Sequence, residues 1–535
     1  MDAYSICCTS TSRHSTSRIY QDLQSSRLHG LINLNPELRA SRMSNQTSQQ
    51  RPLSSRGAAH IAVVGAGFAG LRCADILLQN GFKVTVIEGR DRLGGRVTQA
   101  KLKNGHLVDL GPNWIHGTND NPMMDLAKQT DTGVGSWDTH SYAYDEDGQR
   151  FQLDESEKLS TTMWDIIQAA FKHSNKNTGD IDAQESLYDF FCKKVVEMVP
   201  DAEQDYAKQR KLILQLCEQW GAFVGSPIAR QSLKFFWLEE CIEGENLFCA
   251  GTYKKILETV AKPVVTGADI KLNTKVEKIT YRVEPDEKVR VQIEGGQTLL
   301  FDEVVLTAPL GWLKRNLNAF ERPLPARLTK AISSLGYGCL EKVYLEFPKA
   351  FWLTDGQDGS KVQGFVQWLS PRYAPDTNPN KWNQEVVELA SLGPETSHPT
   401  LLFYIYGDQS RHLTDQVASL ASQDKRDAYL VDFFKPYFSK LPGYSEESAD
   451  CQPVGCVATS WLRDELAGYG SYTNFQVGLE EGDEDVKAMR HGLPEHGLWL
   501  AGEHTAPFVA LGTSTGAYWS GEAVGRRIAE AYGLS

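Results

Sequence analysis

The stretch His60-Ile61-Ala62-Val63-Val64-Gly65-Ala66-Gly67-Phe68-Ala69-Gly70 decides the fold class. Its first five residues are a short apolar run rich in β-branched side chains that stops at a glycine, as a strand buried in a parallel sheet does. Leu71-Arg72-Cys73-Ala74-Asp75-Ile76-Leu77-Leu78 then carries helical spacing, and after Asn80-Gly81 the run Lys83-Val84-Thr85-Val86-Ile87-Glu88 reads as a second strand. The spacing predicts a βαβ unit whose first turn is the GxGxxG of Gly65, Gly67 and Gly70, with Ala69 between. Such a turn supplies a tight reversal, a close backbone approach and a helix N-terminus, which is what a pyrophosphate needs. GxGxxG alone is a weak signal. Glu88 strengthens it, because it ends the second strand 18 residues beyond Gly70, where a carboxylate can accept the ribose hydroxyls of a dinucleotide.

Around this unit lie 535 residues, 41% hydrophobic and 23% charged, enough for a large core and more than one domain. The net charge of −13 argues against nucleic acid as a partner and is compatible with plain solubility or with a field that draws in a cation. Ten cysteines without a CxxC pair indicate neither a zinc site nor a disulfide framework, so no metal is expected. No run of 18 apolar residues occurs and no secretory signal opens the chain, so no membrane association is expected. Residues 1–58 hold twelve Ser, seven Arg and no Lys, and are expected to be a disordered tail. Their composition is shared by mitochondrial transit peptides, Met43 is an alternative start, and the chain ends Gly533-Leu534-Ser535 without a peroxisomal signal. The expected location is cytoplasmic, with a mitochondrial one as the alternative. Oligomeric state is not legible.

Further along, residues 155–220 read as an inserted helical region. Strands are expected at Ile270–Tyr281, Val289–Ile293, Glu303–Thr307 and Lys342–Phe347, and at Leu498–Gly502 leading into a helix from about Gly516. The Gly-, Asp- and Pro-rich stretch 354–398 reads as surface loops.

Glu88-Gly89-Arg90-Asp91-Arg92-Leu93-Gly94-Gly95-Arg96 continues the glycine motif. At this point the sequence resembles the flavin-containing amine oxidase family, polyamine oxidases above all, over roughly residues 60–530. The resemblance implies an α/β fold: a Rossmann-like FAD-binding domain built from discontinuous segments (59–140, 250–312 and 455–535) with an inserted mixed sheet and helical substrate domain (141–249 and 313–454). It implies FAD contacts from Glu88, Gly89, Arg90, Gly95 and Arg96, and from Gly111, Pro112, Asn113 and Trp114 in the segment that passes the flavin. It adds the backbone of Val276, Trp461, Gly502 and Glu503 of the second signature, and Thr513 and Ser514 at the start of the last helix.

The same resemblance places Lys342 at the family lysine near flavin N5 and Tyr472 as an aromatic wall. Monoamine oxidases carry a flavin-tethering cysteine just before this tyrosine; here it is Ser471, which implies non-covalent FAD. Their second aromatic wall falls at Thr513, which implies a differently shaped substrate site. His116 stands where plant polyamine oxidases carry a glutamate and vertebrate ones a histidine, either to hydrogen-bond the substrate nitrogen or simply to pack, and Glu239, Glu240 and Glu243 are candidate anchors for distal ammonium groups, with a solvated acidic turn as the plain alternative. The expected activity is oxidation of a C–N bond in a polyamine or acetylated polyamine, with O2 as acceptor and an aldehyde, an amine and H2O2 as products. A histone-lysine demethylase, an L-amino-acid oxidase using Arg230 or Arg463 for a carboxylate, and a non-catalytic ligand-binding flavoprotein remain as alternatives.

Overall fold

The computed structural model describes residues 59–137, 140–354 and 361–534. The anticipated tail, with Met43, lies outside them. The βαβ unit forms as strand His60–Val64, helix Phe68–Gln79 and strand Lys83–Ile87. Both strands belong to a five-stranded parallel sheet ordered Leu498–Leu500, Glu303–Leu306, His60–Val64, Lys83–Ile87 and Asp269–Lys271. Three distant stretches of sequence therefore make one nucleotide-binding sheet. Its alternating side chains feed two cores: Ile61, Val63, Val84 and Val86 join the helix Phe68–Gln79, while Ala62, Val64, Val304 and Leu306 face the opposite layer. Helix Ser514–Ala531 lies so close to the first helix that a Cβ on Gly521 would come within 2.0 Å of the Ala69 carbonyl oxygen.

The opposite layer contains helices Leu310–Arg315 and Ala326–Ser334, whose Leu313, Leu328, Ala331 and Ile332 are buried against Val304 and Leu306. Residues 313–334 thus pack with the nucleotide sheet, although the sequence reading assigned them to the substrate domain.

The second sheet has six strands in the order Gly455–Ala458, Glu341–Glu346, Thr400–Ile405, Gln384–Glu388, Phe365–Trp368 and Ser141–Tyr144. All pairs are antiparallel except the last. Two expectations change here. Strand Gly455–Ala458 pairs with Glu341–Glu346, so the return to the nucleotide domain comes later than residue 455. The stretch 354–398 is not all loop but supplies two inner strands, each only four or five residues long. Gln367 interrupts the first, three of the five residues of the second (Gln384, Glu385 and Glu388) are polar, and the Gly- and Pro-rich flanks hide the rest.

The helical region is Leu153–Asn177, Leu187–Met198 and Tyr206–Cys217, joined around Ile166, Phe171, Phe191, Val195 and Leu216. A capping box, Ser186 with Asp189, starts the second of these helices. Among the described residues no helix is long and apolar enough to cross a membrane, and no His, Cys, Asp and Glu cluster has the make-up of a metal site.

Candidate active site

The three glycines of the first turn do three different things. Gly65 has φ +104°, and a Cβ there would meet Thr307 Oγ1 at 2.4 Å. Gly70 closes helix on strand, since its Cβ would lie 2.0 Å from the Gly65 oxygen. Gly67 has φ −77°, and nothing stands nearer to its Cβ position than the Gly94 oxygen at 3.9 Å. Gly95 faces it, with Gly67 Cα at 3.4 Å and Gly67 N at 3.8 Å from its own Cβ position. The helix that starts there has no side-chain cap and no acidic residue in its first turn, so its N–H groups are left for an anion. Ala69, expected at the cofactor, instead packs against Gly521.

Glu88 is buried, and its carboxylate is fixed by Ala66 N–H at 2.7 Å and Arg90 N–H at 2.8 Å, with acceptor capacity to spare for ribose hydroxyls. Thr274 and Asn273 N–H groups donate to the Glu88 and Arg90 carbonyls, which lays the start of the Val276–Thr280 strand beside the motif. Gly89 admits Leu466, whose methyl would be 3.0 Å from a Cβ. Arg90 is held by both oxygens of Asp464 at 2.9 Å. Arg96 donates to the Ser471 carbonyl at 2.6 Å and to Tyr337 and Glu503 at 3.2 Å, and Glu503 also accepts from Thr473. Gly502 precedes this pair at the end of the Leu498–Leu500 strand. An open glycine cradle, an uncapped helix and an oriented Glu88 fit FAD.

The segment Asp109–Trp114 is stapled to the substrate sheet. Lys342 Nζ donates to the Gly111 carbonyl, Tyr344 OH to the Asp109 carbonyl at 2.6 Å and Trp461 Nε1 to the Leu110 carbonyl at 3.2 Å. Asn113 donates to Tyr344 OH and accepts from Tyr404 OH, both at 3.1 Å, and the Trp114 indole donates to Tyr404 OH. Asn113 and Trp114 were expected at the cofactor, but their side-chain polar atoms are committed to the sheet; Gly111 and Pro112 lie between these staples. Lys342 is almost fully buried. Burial holds its ammonium far below the usual lysine range, while the Asp109 carboxylate pulls the other way; burial in turn raises Asp109 against its bonds from Gln99 and Tyr253 N–H.

Tyr472 donates to the Phe223 carbonyl at 2.5 Å, and its ring lies beside Gly512, whose Cβ would stand 3.4 Å away. Phe223 stacks on Trp220, with centroids 4.8 Å apart. The Trp220 indole donates to Glu239 at 3.0 Å, and the Glu239 charge is felt at Tyr472. Burial pushes the Glu239 carboxyl up to about 8. Glu240 diverges from it toward Asn175 on the long helix, so the two glutamates do not form one anchor. Thr513 caps the last helix, accepting from Gly516 N–H at 2.9 Å and donating to Ala510 O, so its hydroxyl is not free for substrate; Ser514 meets Tyr253 OH at 3.1 Å. His116 pairs with Asn246 across two short strands, and burial lowers its ring below the usual histidine range. Arg230 and Arg463, candidates for a carboxylate, are exposed and lie against Asp408 and Asp415.

The register joins Lys342 to three residues that sequence reading missed. Lys342 faces Tyr404, Tyr404 faces Glu385 and Glu385 faces Gln367, one on each of four adjacent strands. Directly paired residues share a face, so the four form a polar row leading away from Lys342.

A family model described as flavin containing amine oxidoreductase matches residues 68–529, and one described as pyridine nucleotide-disulphide oxidoreductase matches residues 28–107. The chain is 34% identical to a probable polyamine oxidase 4 of Arabidopsis thaliana, covering 83% of this chain and 85% of that protein. It is 27% identical to a lysine-specific histone demethylase 1 homolog 3 of Oryza sativa subsp. japonica, covering 83% of this chain but 51% of that protein. Among solved structures, a putrescine oxidase double mutant with redesigned cofactor binding superposes with a TM-score of 0.64 at 17% identity, over 89% of this chain and 99% of that one.

Proposed function

The chain belongs to the flavin-containing amine oxidoreductase family, and from that premise we propose that it oxidises a C–N bond of a polyamine or acetylated polyamine, with non-covalent FAD and O2. The observation that carries the substrate class is Glu239, a carboxylate set among Trp220, Phe223 and Tyr472. An alkylammonium chain needs such a combination: apolar walls for its methylenes and a negative charge for its nitrogen.

Glu88, Arg90, Arg96, Gly67 and Glu503 hold FAD, which when bound supplies a two-electron acceptor that O2 regenerates with release of H2O2. The chain's own residues prepare the amine. Tyr472 and Trp220 shield the alkyl chain from water, and Glu239 fixes a charged nitrogen away from the reacting one. His116, kept neutral by burial, is the hydrogen-bond partner of the reacting nitrogen, which must be unprotonated because its lone pair stabilises the carbon as the C–H bond breaks. Lys342 Nζ donates to the Gly111 carbonyl and keeps further hydrogen-bonding capacity for a water in the site. Loss of two electrons and one proton, a hydride equivalent, from the neutral amine leaves an iminium ion, and water converts it to an aldehyde and an ammonium product.

Anaerobic titration with spermine, spermidine and N1-acetylspermine tests this. Bleaching of the flavin absorbance by one of them, reversed by air with H2O2 released, is expected. A yellow protein that none of them bleaches overturns the substrate class. Because Ser471 donates no thiol and its hydroxyl accepts from Leu340 N–H at 3.2 Å, acid precipitation should leave all the yellow colour in solution.

A further inference from the structure

A second cavity lies outside the amine site. It is bounded by residues 225–227 and Arg230, by the start of helix Gly407–Ser419 with Arg411 one turn in, and by Cys339 and Gln476, and its volume is about 210 Å3. A single water needs roughly 10–15 Å3, so the space admits an organic molecule of several heavy atoms. Its wall toward the amine site is the stretch 223–225, where the Phe223 carbonyl accepts from Tyr472 OH and the Val224 carbonyl from Asn474 Nδ2.

The charge of this cavity runs against that of the chain. In a protein of net charge −13, two arginines line it and, among the described residues, no carboxylate does. Asp408 pairs with both arginines, but loosely, at 3.6 Å from Arg230 and 3.9 Å from Arg411. Among the described residues neither guanidinium donates a hydrogen bond, whereas Arg90 is held by both oxygens of Asp464 at 2.9 Å. Two cations drawn to one carboxylate repel each other and leave a positive charge over. Both side chains are half-exposed, so a ligand can reach them from solvent. The Arg411 charge is also felt at the buried Cys339 thiol, where it opposes the upward push of burial.

The other groups around the cavity are donors as well. Ser226 is 6% exposed, and its Oγ accepts from Gln476 Nε2 at 3.1 Å, which leaves its own O–H to give. Helix Gly407–Ser419 begins at the cavity without a side-chain cap and turns the positive end of its dipole there, offset in part by Asp408 in its first turn. Two guanidinium forks and a hydroxyl proton with no acceptor between them are the complement of an oxyanion.

We propose that this cavity binds a small, multiply charged oxyanion, a tricarboxylate or a diphosphate, between Arg230 and Arg411, with the Ser226 hydroxyl as a third donor. The site is separate from the amine site and independent of which amine is oxidised.

Isothermal titration calorimetry of the FAD-loaded enzyme, whose glycine cradle is already filled, tests this with citrate and with inorganic pyrophosphate. At least one of the two should saturate a single site per chain, and the tighter of them identifies carboxylate or phosphate as the preferred group. Arg230→Gln and Arg411→Gln should each weaken that binding at least about tenfold. Arg372→Gln, which removes an exposed arginine paired with Asp147, should leave it within about twofold. Asp408→Asn removes the competing carboxylate and should tighten binding about threefold or more, a gain that a damaged fold cannot produce. Failure of both anions to saturate, an arginine-to-glutamine variant at 230 or 411 that binds as tightly as wild type, an equal loss in Arg372→Gln, or no gain in Asp408→Asn overturns the proposal.

Discussion

Replacing Lys342 by Met should separate catalysis from folding. Methionine matches the lysine stem in length and is apolar, so it fills the same buried space between Tyr404 and the Asp109–Trp114 segment. The Gly111 carbonyl loses its donor, a loss of about 1–3 kcal/mol for a buried acceptor. Against this, an ammonium that burial disfavours is no longer carried into the interior, and Asp109 keeps its bonds from Gln99 and Tyr253 N–H. The net change in stability should stay within about 2 kcal/mol. FAD should remain bound, because the glycine cradle and Glu88 lie on the other domain. Turnover, by contrast, should lose the buried Nζ donor of the site, a factor on the order of 100. Stopped-flow absorbance reads both halves of the cycle: anaerobic bleaching by spermidine, then recovery in aerated buffer. At least one rate should fall by that factor in a variant with a normal flavin spectrum. Both rates within twofold of wild type would refute the catalytic assignment, and loss of bound FAD would recast Lys342 as a scaffold for the Gly111 turn.

The glycine turn makes a paired prediction. Gly67→Ala should fold with an unchanged melting temperature as apoprotein but bind FAD at least about tenfold more weakly in a flavin-fluorescence titration, since its methyl enters the open cradle, whereas Gly70→Ala should be destabilised by several kcal/mol from a methyl 2.0 Å from the Gly65 oxygen. Glu239 makes a pH prediction. Its carboxyl is raised from 4.5 to about 8, so it contributes stability that is complete below about pH 4.5 and is lost as pH rises through 8. Glu239→Gln has no proton to lose, so its melting temperature relative to wild type should climb from pH 5 to pH 9, by the equivalent of about 1 kcal/mol once the group's partial exposure is discounted. A constant difference across that range would mean that Glu239 is not desolvated, and spermidine should flatten the wild-type curve by pairing with the ionised form.

What the sequence made legible is what local spacing controls. The βαβ unit, the three glycines and Glu88 lie within 29 consecutive residues, and each has a conformational reason that no distant contact alters. Lys342 was legible through the family pattern of Leu340–Phe347, because a lone lysine in a strand reads by itself as a side chain snorkelling at a sheet edge. The placement of Glu239 apart from Glu240 was not legible, because neighbouring residues leaving a short turn take directions set by Trp220 and Asn175, which come from two other helices. Nor was the dual use of Asn113 and Trp114 legible, since it depends on tyrosines more than 200 residues away.

The polar row is the extreme case. Lys342, Tyr404, Glu385 and Gln367 are scattered over four strands, and only the register lines them up. Read singly, each weakens its strand, and two of those strands, Phe365–Trp368 and Gln384–Glu388, lie in the Gly-, Asp- and Pro-rich stretch whose composition reads as loop. The other face of the same sheet shows why the fold tolerates this. Val343, Leu345, Val366, Trp368, Val386, Leu401 and Phe403 are buried there in one continuous core with Phe434 and Tyr437, each large side chain contributing roughly 1.5–3 kcal/mol. A sheet secured on one face can carry ionisable and unpaired groups on the other, and departures from local consistency of this kind are expected where a site has been built.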